Sequence, residues 1–397
     1  VIAGELMRPG VTVETCGAAY LQSKDPAESQ YGELRVRPRL ELTPRDEVLF
    51  LIEGDFRADT RGYARDSLDS VVERTGRRWI ANLREAYADG QHGWLRMRVG
   101  KQIFDWSVTD TVSPSDNISP RDWTDVLESE RVGVPAVHLH LGYSTFADLV
   151  FVPWFTPSKL PVLGGRWERD LPPVLVSAEQ EILGRDHSQF AARAGTTWEG
   201  FDLGIVYYRG YANSPSFKLE PVSLVKARLV PVYRLEQVYA FSVSRAVGSY
   251  TLRSEVGHFN QRGDDDFVQV VAGIDREWSG VLRPVDSFYA LLQYADEAVT
   301  RHESPVPFET IDFRRVLNKS VMLKSHYTFD SERQWTLQLE AALNLDDGGS
   351  FLEPALVWRK RNIEWEAGID VLSGNRTTFF GGYGRNDRVY TRVTCKF

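Results

Sequence analysis

The chain has 397 residues, room for two or three soluble domains or for one barrel of many strands. Its net charge of −8 excludes a general nucleic-acid binder, which needs a basic excess to neutralise phosphates, and its two cysteines exclude a disulfide framework. A mean hydropathy of −0.32 with no apolar run of about 18 residues excludes a helical membrane protein, but not a barrel, whose strands need only alternate residues to be apolar.

Composition leaves three classes open: a barrel, a secreted β-sandwich and an α/β enzyme. The opening residues Val1 to Glu5 carry neither a basic nor an apolar signal region, as expected of a mature chain whose signal peptide has been removed, or of a cytoplasmic one. Period-two alternation then sets in. From Tyr31 to Leu42, Leu34, Val36, Pro38, Leu40 and Leu42 alternate with Glu33, Arg35, Arg37, Arg39 and Glu41. After the turn Thr43-Pro44-Arg45-Asp46, Val48, Phe50, Ile52, Gly54 and Phe56 alternate with Leu49, Leu51, Glu53, Asp55 and Arg57. Phe201, Leu203, Ile205 and Tyr207 share a face farther on. Trp335, Leu337, Leu339, Ala341 and Leu343 oppose Thr336, Gln338 and Glu340, and Ile363, Trp365, Ala367, Ile369 and Val371 oppose Glu364, Glu366 and Asp370.

These runs are about 10–13 residues long, against about 5–6 for a strand of a soluble protein and about 9–11 for a membrane strand. One face is aliphatic, with aromatics towards the strand ends, and the other carries Arg, Glu, Asp and Gln in mid-strand, where a water-filled lumen solvates them. The only helical candidate of note is the short Asp122 to Arg131 segment, opened by Ser119-Pro120. The expected fold is all-β: one domain over 1–397, a single transmembrane antiparallel β-barrel of about 18 strands (range 16–20). Hairpin spacing yields about nineteen segments, whereas such barrels carry an even number. Either the segment near 11–21 is not a strand, giving 18, or Thr377 to Tyr383 adds one, giving 20. Long connections are expected near 59–77, 103–133, 156–186, 211–221 and 300–311, with room for one of them to turn into the lumen.

The lumen face carries the candidate chemistry. Arg35, Arg37 and Arg39 on one strand, Arg96 and Arg98 on another, and Arg253 later form a basic ladder that guides carboxylate or phosphate groups if it is free. Glu340, Glu353, Glu364, Glu366 and Asp370 crowd the later strands, so an ion-pair mesh that braces the barrel is the competing reading. The 103–133 connection holds Trp106, Asp110, Asp116, Arg121 and Asp122 and the near-repeat Ser113-Pro114-Ser115-Asp116 and Ser119-Pro120-Arg121-Asp122. Ser/Pro/Asp clusters build rigid turns, either folded inward as a constriction or outward as a cap. His138 and His140, two apart on one strand, share the polar face as pore-lining residues. No third ligand follows from spacing, so no metal and no cofactor is expected. No nucleophile elbow or phosphate-cradling loop is present, and no enzyme is expected. Cys16 and Cys395 fall on neighbouring strands but on opposite faces, which argues against a disulfide between them.

Leu83-Arg84-Glu85-Ala86-Tyr87, followed by Leu95-Arg96-Met97-Arg98-Val99-Gly100-Lys101-Gln102 and by Trp106 and Asp110, resembles a hairpin of porin-like outer-membrane barrels of the alginate-export type and of a related uncharacterised Gram-negative family. Lys101 stands where the pattern has Arg, and Ser107 where it has Gly. Gly248 to Glu255 and Phe267 to Asp275 resemble consecutive strands of the uncharacterised family. The resemblance implies an 18-stranded barrel in a Gram-negative outer membrane and a transport role. In alginate exporters an Arg-lined channel conducts a polyanionic polysaccharide, and Arg35, Arg37, Arg39, Arg96 and Arg98 are the comparable residues here.

The functional expectation is therefore an outer-membrane channel for export or diffusion of anionic, sugar-derived material. A conduit for small hydrophobic or lipid-like molecules working with an inner-membrane pump, and a non-conducting binding or scaffold barrel, are the alternatives. Expected partners are outer-membrane lipids, periplasmic or inner-membrane export proteins, and the barrel-assembly machinery. The last would read Val389, Thr391, Val393, Cys395 and Phe397 on one outward face.

Overall fold

The computed structural model describes residues 7–22, 29–45, 47–66, 78–169, 175–177, 188–223, 225–303, 315, 317–329, 332 and 334–397. Eighteen antiparallel strands form one closed sheet. In chain order they are β1 Met7–Tyr20, β2 Gln30–Arg45, β3 Val48–Asp59, β4 Ala81–His92, β5 Leu95–Gln102, β6 Val134–Gly142, β7 Phe146–Val152, β8 Gln189–Trp198 and β9 Phe201–Tyr211. The second half comprises β10 Leu235–Val247, β11 Tyr250–Gln261, β12 Asp266–Ser279, β13 Ser287–Arg301, β14 Ser320–Thr328, β15 Trp335–Asn344, β16 Ser350–Lys360, β17 Ile363–Ser373 and β18 Arg388–Lys396. Closure is made by β1 on β18, from Thr12 opposite Lys396 to Tyr20 opposite Arg388. Closing the sheet pairs the backbone groups of every strand, the condition for a sheet to lie in hydrocarbon.

Alternation decides which way each side chain points. On β3, Ile52 is 53% exposed on the outer surface while its neighbour Leu51 is 1% exposed inside. Outward Leu337, Ile369 and Val389 follow the same rule on later strands. The two-residue turns at 93–94, 199–200, 248–249 and 361–362 fall at the end where β1 begins and β18 finishes. Glu199 and Gly200 both have positive φ, 48° and 79°, the twist that matches a two-residue hairpin to its strands. In barrels of this kind short turns belong to the periplasmic side.

The strand count resolves in a way neither alternative foresaw. The first segment is a strand. The surplus is one of the nineteen segments, the one that hairpin spacing puts at 222–234: Lys226–Val232 pairs instead with Ser216–Ser223 and Leu175–Ser177 in a separate three-stranded sheet within the connections. Thr377 to Tyr383 adds no strand, because Gly381–Asn386 is a 3-10 turn. The expected helix over 122–131 is also absent. Asp122 and Asp125 instead accept the amides of Thr124 and Leu127, at 3.0 Å each, and such local turns compete with helical bonding. Of the expected long connections, 67–77, 170–174, 178–186 and 304–311 lie outside the described residues. Cys16 faces Arg392 and Cys395 faces Val13 across the closing pair, and both thiols are free.

Candidate functional site

The segment 103–133 leaves β5, folds into the lumen and is fastened to two different parts of the wall before entering β6. On one side its tip meets β11. The buried Glu255 carboxylate accepts the amides of Val108, Thr109 and Ser115 at 2.7, 2.6 and 3.1 Å. It also accepts the hydroxyls of Thr109 and Ser113, each at 2.8 Å. Pro114 lies on Gly257 so closely that a Cβ there would come within 2.6 Å of the Pro114 ring. Thr111 donates to Gln293 on β13 at 3.2 Å. On the other side the segment meets β18, β2 and β3. Asp125 and Glu128 take Arg388 at 2.5 and 2.9 Å, and Glu128 takes Arg392 at 2.6 Å. Glu130 receives Arg35, Arg37 and Arg57 at 2.8, 2.5 and 3.2 Å.

These contacts set the charge state of the segment. Burial alone would raise the Glu130 carboxyl, but Arg35, Arg57 and Arg37 outweigh it and hold it at about 2. Asp122, bonded to Arg78 at 2.8 Å, is likewise driven below the usual carboxylate range despite its burial. Burial holds Asp116 above its ordinary value even though Arg131 lies 2.6 Å away.

The expected lumen residues are placed as follows. Arg35, Arg37 and Arg39 do face inward, but each is compensated: Arg35 by Glu14, Glu33 and Glu130, Arg37 by Asp55 and Glu130, Arg39 by Glu41 and Glu53. Arg96 and Arg98 both bind Asp89 at 2.7 Å, and Arg253 bridges Asp110 and Asp275 at 3.1 and 2.8 Å. His138 and His140 share one oxygen of Asp148 at 2.8 Å each, while Arg193 takes the other at 2.8 Å. Within the segment, Asp110, Asp116 and Arg121 border the open space. Trp106 and Asp122 are instead buried as anchors, Trp106 beneath the Arg193 guanidinium at 4.8 Å.

Beside the segment a cavity of about 280 Å³ remains, with walls of two kinds. Trp123, Val126 and Leu127 join Phe351, Phe379 and Phe380 on the apolar part, where Phe351 stacks on Phe380 at 6.1 Å and Phe379 meets Phe380 edge-on at 5.3 Å. Ser113, Asn117, Ser119, Ser129, Ser158 and Ser214 supply hydroxyls and amides. The charged groups at its margin are paired: Asp110 with Arg253, Asp116 with Arg131, and Glu340 with Lys324 at 2.6 Å. A second cavity of about 240 Å³ continues past Leu127 between Glu128, Glu340, Glu353, Glu366, Arg388 and Arg392. There the Tyr390 hydroxyl lies 2.5 and 2.6 Å from Glu353 and Glu366.

Sequence reasoning missed Glu255, Arg388 and the phenylalanines. The inward parity of Glu255 and Arg388 was readable from alternation, but their partners lie 140 and 263 residues away, at Ser115 and Asp125. Phe379 and Phe380 sit in a connection, where no periodicity marks them.

No family model and no curated protein matches the sequence. Solved structures do. OccAB1 of Acinetobacter baumannii superposes with a TM-score of 0.54 at 9% identity, over 98% of this chain and 96% of that one. Pseudomonas aeruginosa OpdK, solved with vanillate, gives 0.52 at 11% identity, over 99% and 98%. OccK5 (OpdH) of the same organism gives 0.52 at 10%, over 99% and 98%. The chain has the fold of the outer-membrane porins. In this chain that fold encloses the doubly fastened 103–133 segment and the half-aromatic, half-hydroxyl cavity beside it.

Proposed function

We propose that the chain is a solute-selective diffusion channel of a Gram-negative outer membrane, in which the 103–133 segment sets the width and chemistry of the route. The observation that carries this reading is the segment itself, pinned at Glu255 and at Arg388 with a cavity of about 280 Å³ left beside it. Binding sites of this kind combine an apolar wall with a few placed polar groups.

For the cargo, we propose small hydroxyl-rich, sugar-derived solutes. Aromatic faces suit the apolar face of a sugar ring, and the serines and Asn117 suit its hydroxyls. Support for an anionic cargo comes from Arg39 and Arg96, whose side chains keep 42% and 45% exposure to the lumen. Both are already bonded to carboxylates, so the reading favours neutral over anionic sugars. The alginate-export likeness rests on the Leu83 to Gln102 hairpin with Trp106 and Asp110, and the inward segment favours oligosaccharide-sized material over a polymer. The apolar wall supports a second reading, a conduit for small hydrophobic molecules.

The test is swelling of liposomes carrying the purified protein. Neutral mono- and disaccharides should enter at rates that fall with size, and uronic acids no faster than their neutral counterparts. Replacing Phe379 and Phe380 together by Ala should erase the preference for sugars over polyols of equal size. No entry of any solute would dispose of the channel reading. Faster entry of uronic acids would restore the anionic one. The outward face from Val389 to Phe397 is the proposed contact for the assembly machinery.

A further inference from the structure

Outward charges are costly on a barrel wall, most for Arg at the bilayer midplane and least near the interfaces. Each therefore asks for a reason. Arg245 and Arg276 point outward near the tight-turn end, and each has an aromatic ring beneath its guanidinium, Phe201 at 4.1 Å and Tyr250 at 4.7 Å. Arg209 differs. It stands two residues from the long-connection end of β9, between Phe190 and Gln237 on the neighbouring strands. It is exposed, and among the described residues no carboxylate or ring holds its guanidinium.

Arg209 opens onto a depression of about 370 Å³ lined also by Phe151, Ser188, Phe190, Tyr211 and Leu235. Ser188 is exposed there and, among the described residues, its hydroxyl is equally without a partner. Below the depression, towards mid-wall, Phe190, Tyr207 and Tyr239 form a chain of rings at 6.5 and 5.2 Å on the outer surface. A cation and a hydroxyl at the interface, above an apolar aromatic strip, match the two halves of a charged lipid. Guanidinium is the side chain best shaped for phosphate oxygens.

We propose that Arg209 and Ser188 bind the phosphate of a lipid headgroup in the outer leaflet, with the acyl chains lying on Phe190, Tyr207 and Tyr239. This rests on the outer-membrane reading, with the long connections outside, but not on conduction. The probe is lipid A bearing both phosphates, compared with its dephosphorylated form, by native mass spectrometry of detergent-purified protein. Wild type and R245Q should retain the phosphorylated probe. R209Q should lose about tenfold in occupancy, the scale of one charge-assisted partner, and R209K should lose less because it keeps the charge.

The dephosphorylated probe should not distinguish the variants. Millimolar inorganic phosphate should leave the complex intact, and displacement by it would overturn the lipid assignment. Equal retention by wild type and R209Q, or equal loss in R209Q and R245Q, would overturn the site. Conductance of R209Q should match wild type. A silent wild-type barrel would count against the channel and leave the lipid result standing.

Discussion

Ser113 donates its hydroxyl to Glu255 at 2.8 Å across 142 residues of sequence, and this contact ties the inward segment to the β11 wall. Glu255 also accepts three backbone amides there, so one buried carboxylate serves most of the polar groups at the tip. Its replacement by Ala strands those donors, at a cost of roughly 1–3 kcal/mol for each left unsatisfied. E255A should release the tip and give larger, noisier conductance steps in planar bilayers, and E255Q a smaller change. Steps of wild-type size and quietness in E255A would show that the tip is held elsewhere.

Gly257 makes the same contact sterically. A Cβ there would stand 2.6 Å from the Pro114 ring, so G257V should push the tip off the wall without altering any charge. Liposomes carrying G257V should admit larger sugars than wild type. An unchanged size limit would mean that the segment yields without opening the route.

Arg388 governs the other attachment. It is buried and serves Asp125, Glu128 and Asp370 together. Removing one partner of a buried ionic cluster costs about 3–5 kcal/mol, because the remaining charges stay uncompensated. R388M should therefore melt at lower temperature in detergent than wild type. R388K should fall between them, since Lys keeps the charge and loses the planar fork. A melting temperature unchanged in R388M would show that the cluster does not stabilise the barrel.

Acid should loosen the same attachment. Glu130 is held at about 2, below its free value near 4.5, so its contribution is fully present above about pH 4.5 and is lost as pH falls through about 2. Asp122 acts in the same direction, while Asp116, raised by burial, acts in the opposite one. Conductance should rise and become irregular as pH is lowered from about 4.5 towards 2, and recover on neutralisation. E130Q should abolish the Glu130 part of that response at every pH in the window.

The wall was legible because it is a one-dimensional pattern: Leu34 to Leu42 and Val48 to Phe56 declare their faces by parity alone. The same simplicity misled at Lys226–Val232, whose extended, partly apolar run reads like a barrel strand although it pairs in a separate sheet. Parity placed Arg35, Arg37 and Arg39 in the lumen but not Glu130 beside them, 95 residues from Arg35. A ladder free to guide anions and one consumed by ion pairs have the same sequence signature. His138 and His140 show the intermediate case. The short turn at 143–145 sets Asp148 opposite His140, so that partner was within reach of hairpin arithmetic, whereas Arg193, one strand further, was not.

We propose that the lumen conducts and that the 103–133 segment limits what passes. Single-channel recording in planar bilayers decides this, comparing wild type with a chain whose residues 107–117 are replaced by a short Gly/Ser linker. Wild type should give discrete steps and the shortened chain clearly larger ones. Absence of conductance in both, with the barrel shown to be folded, would contradict it.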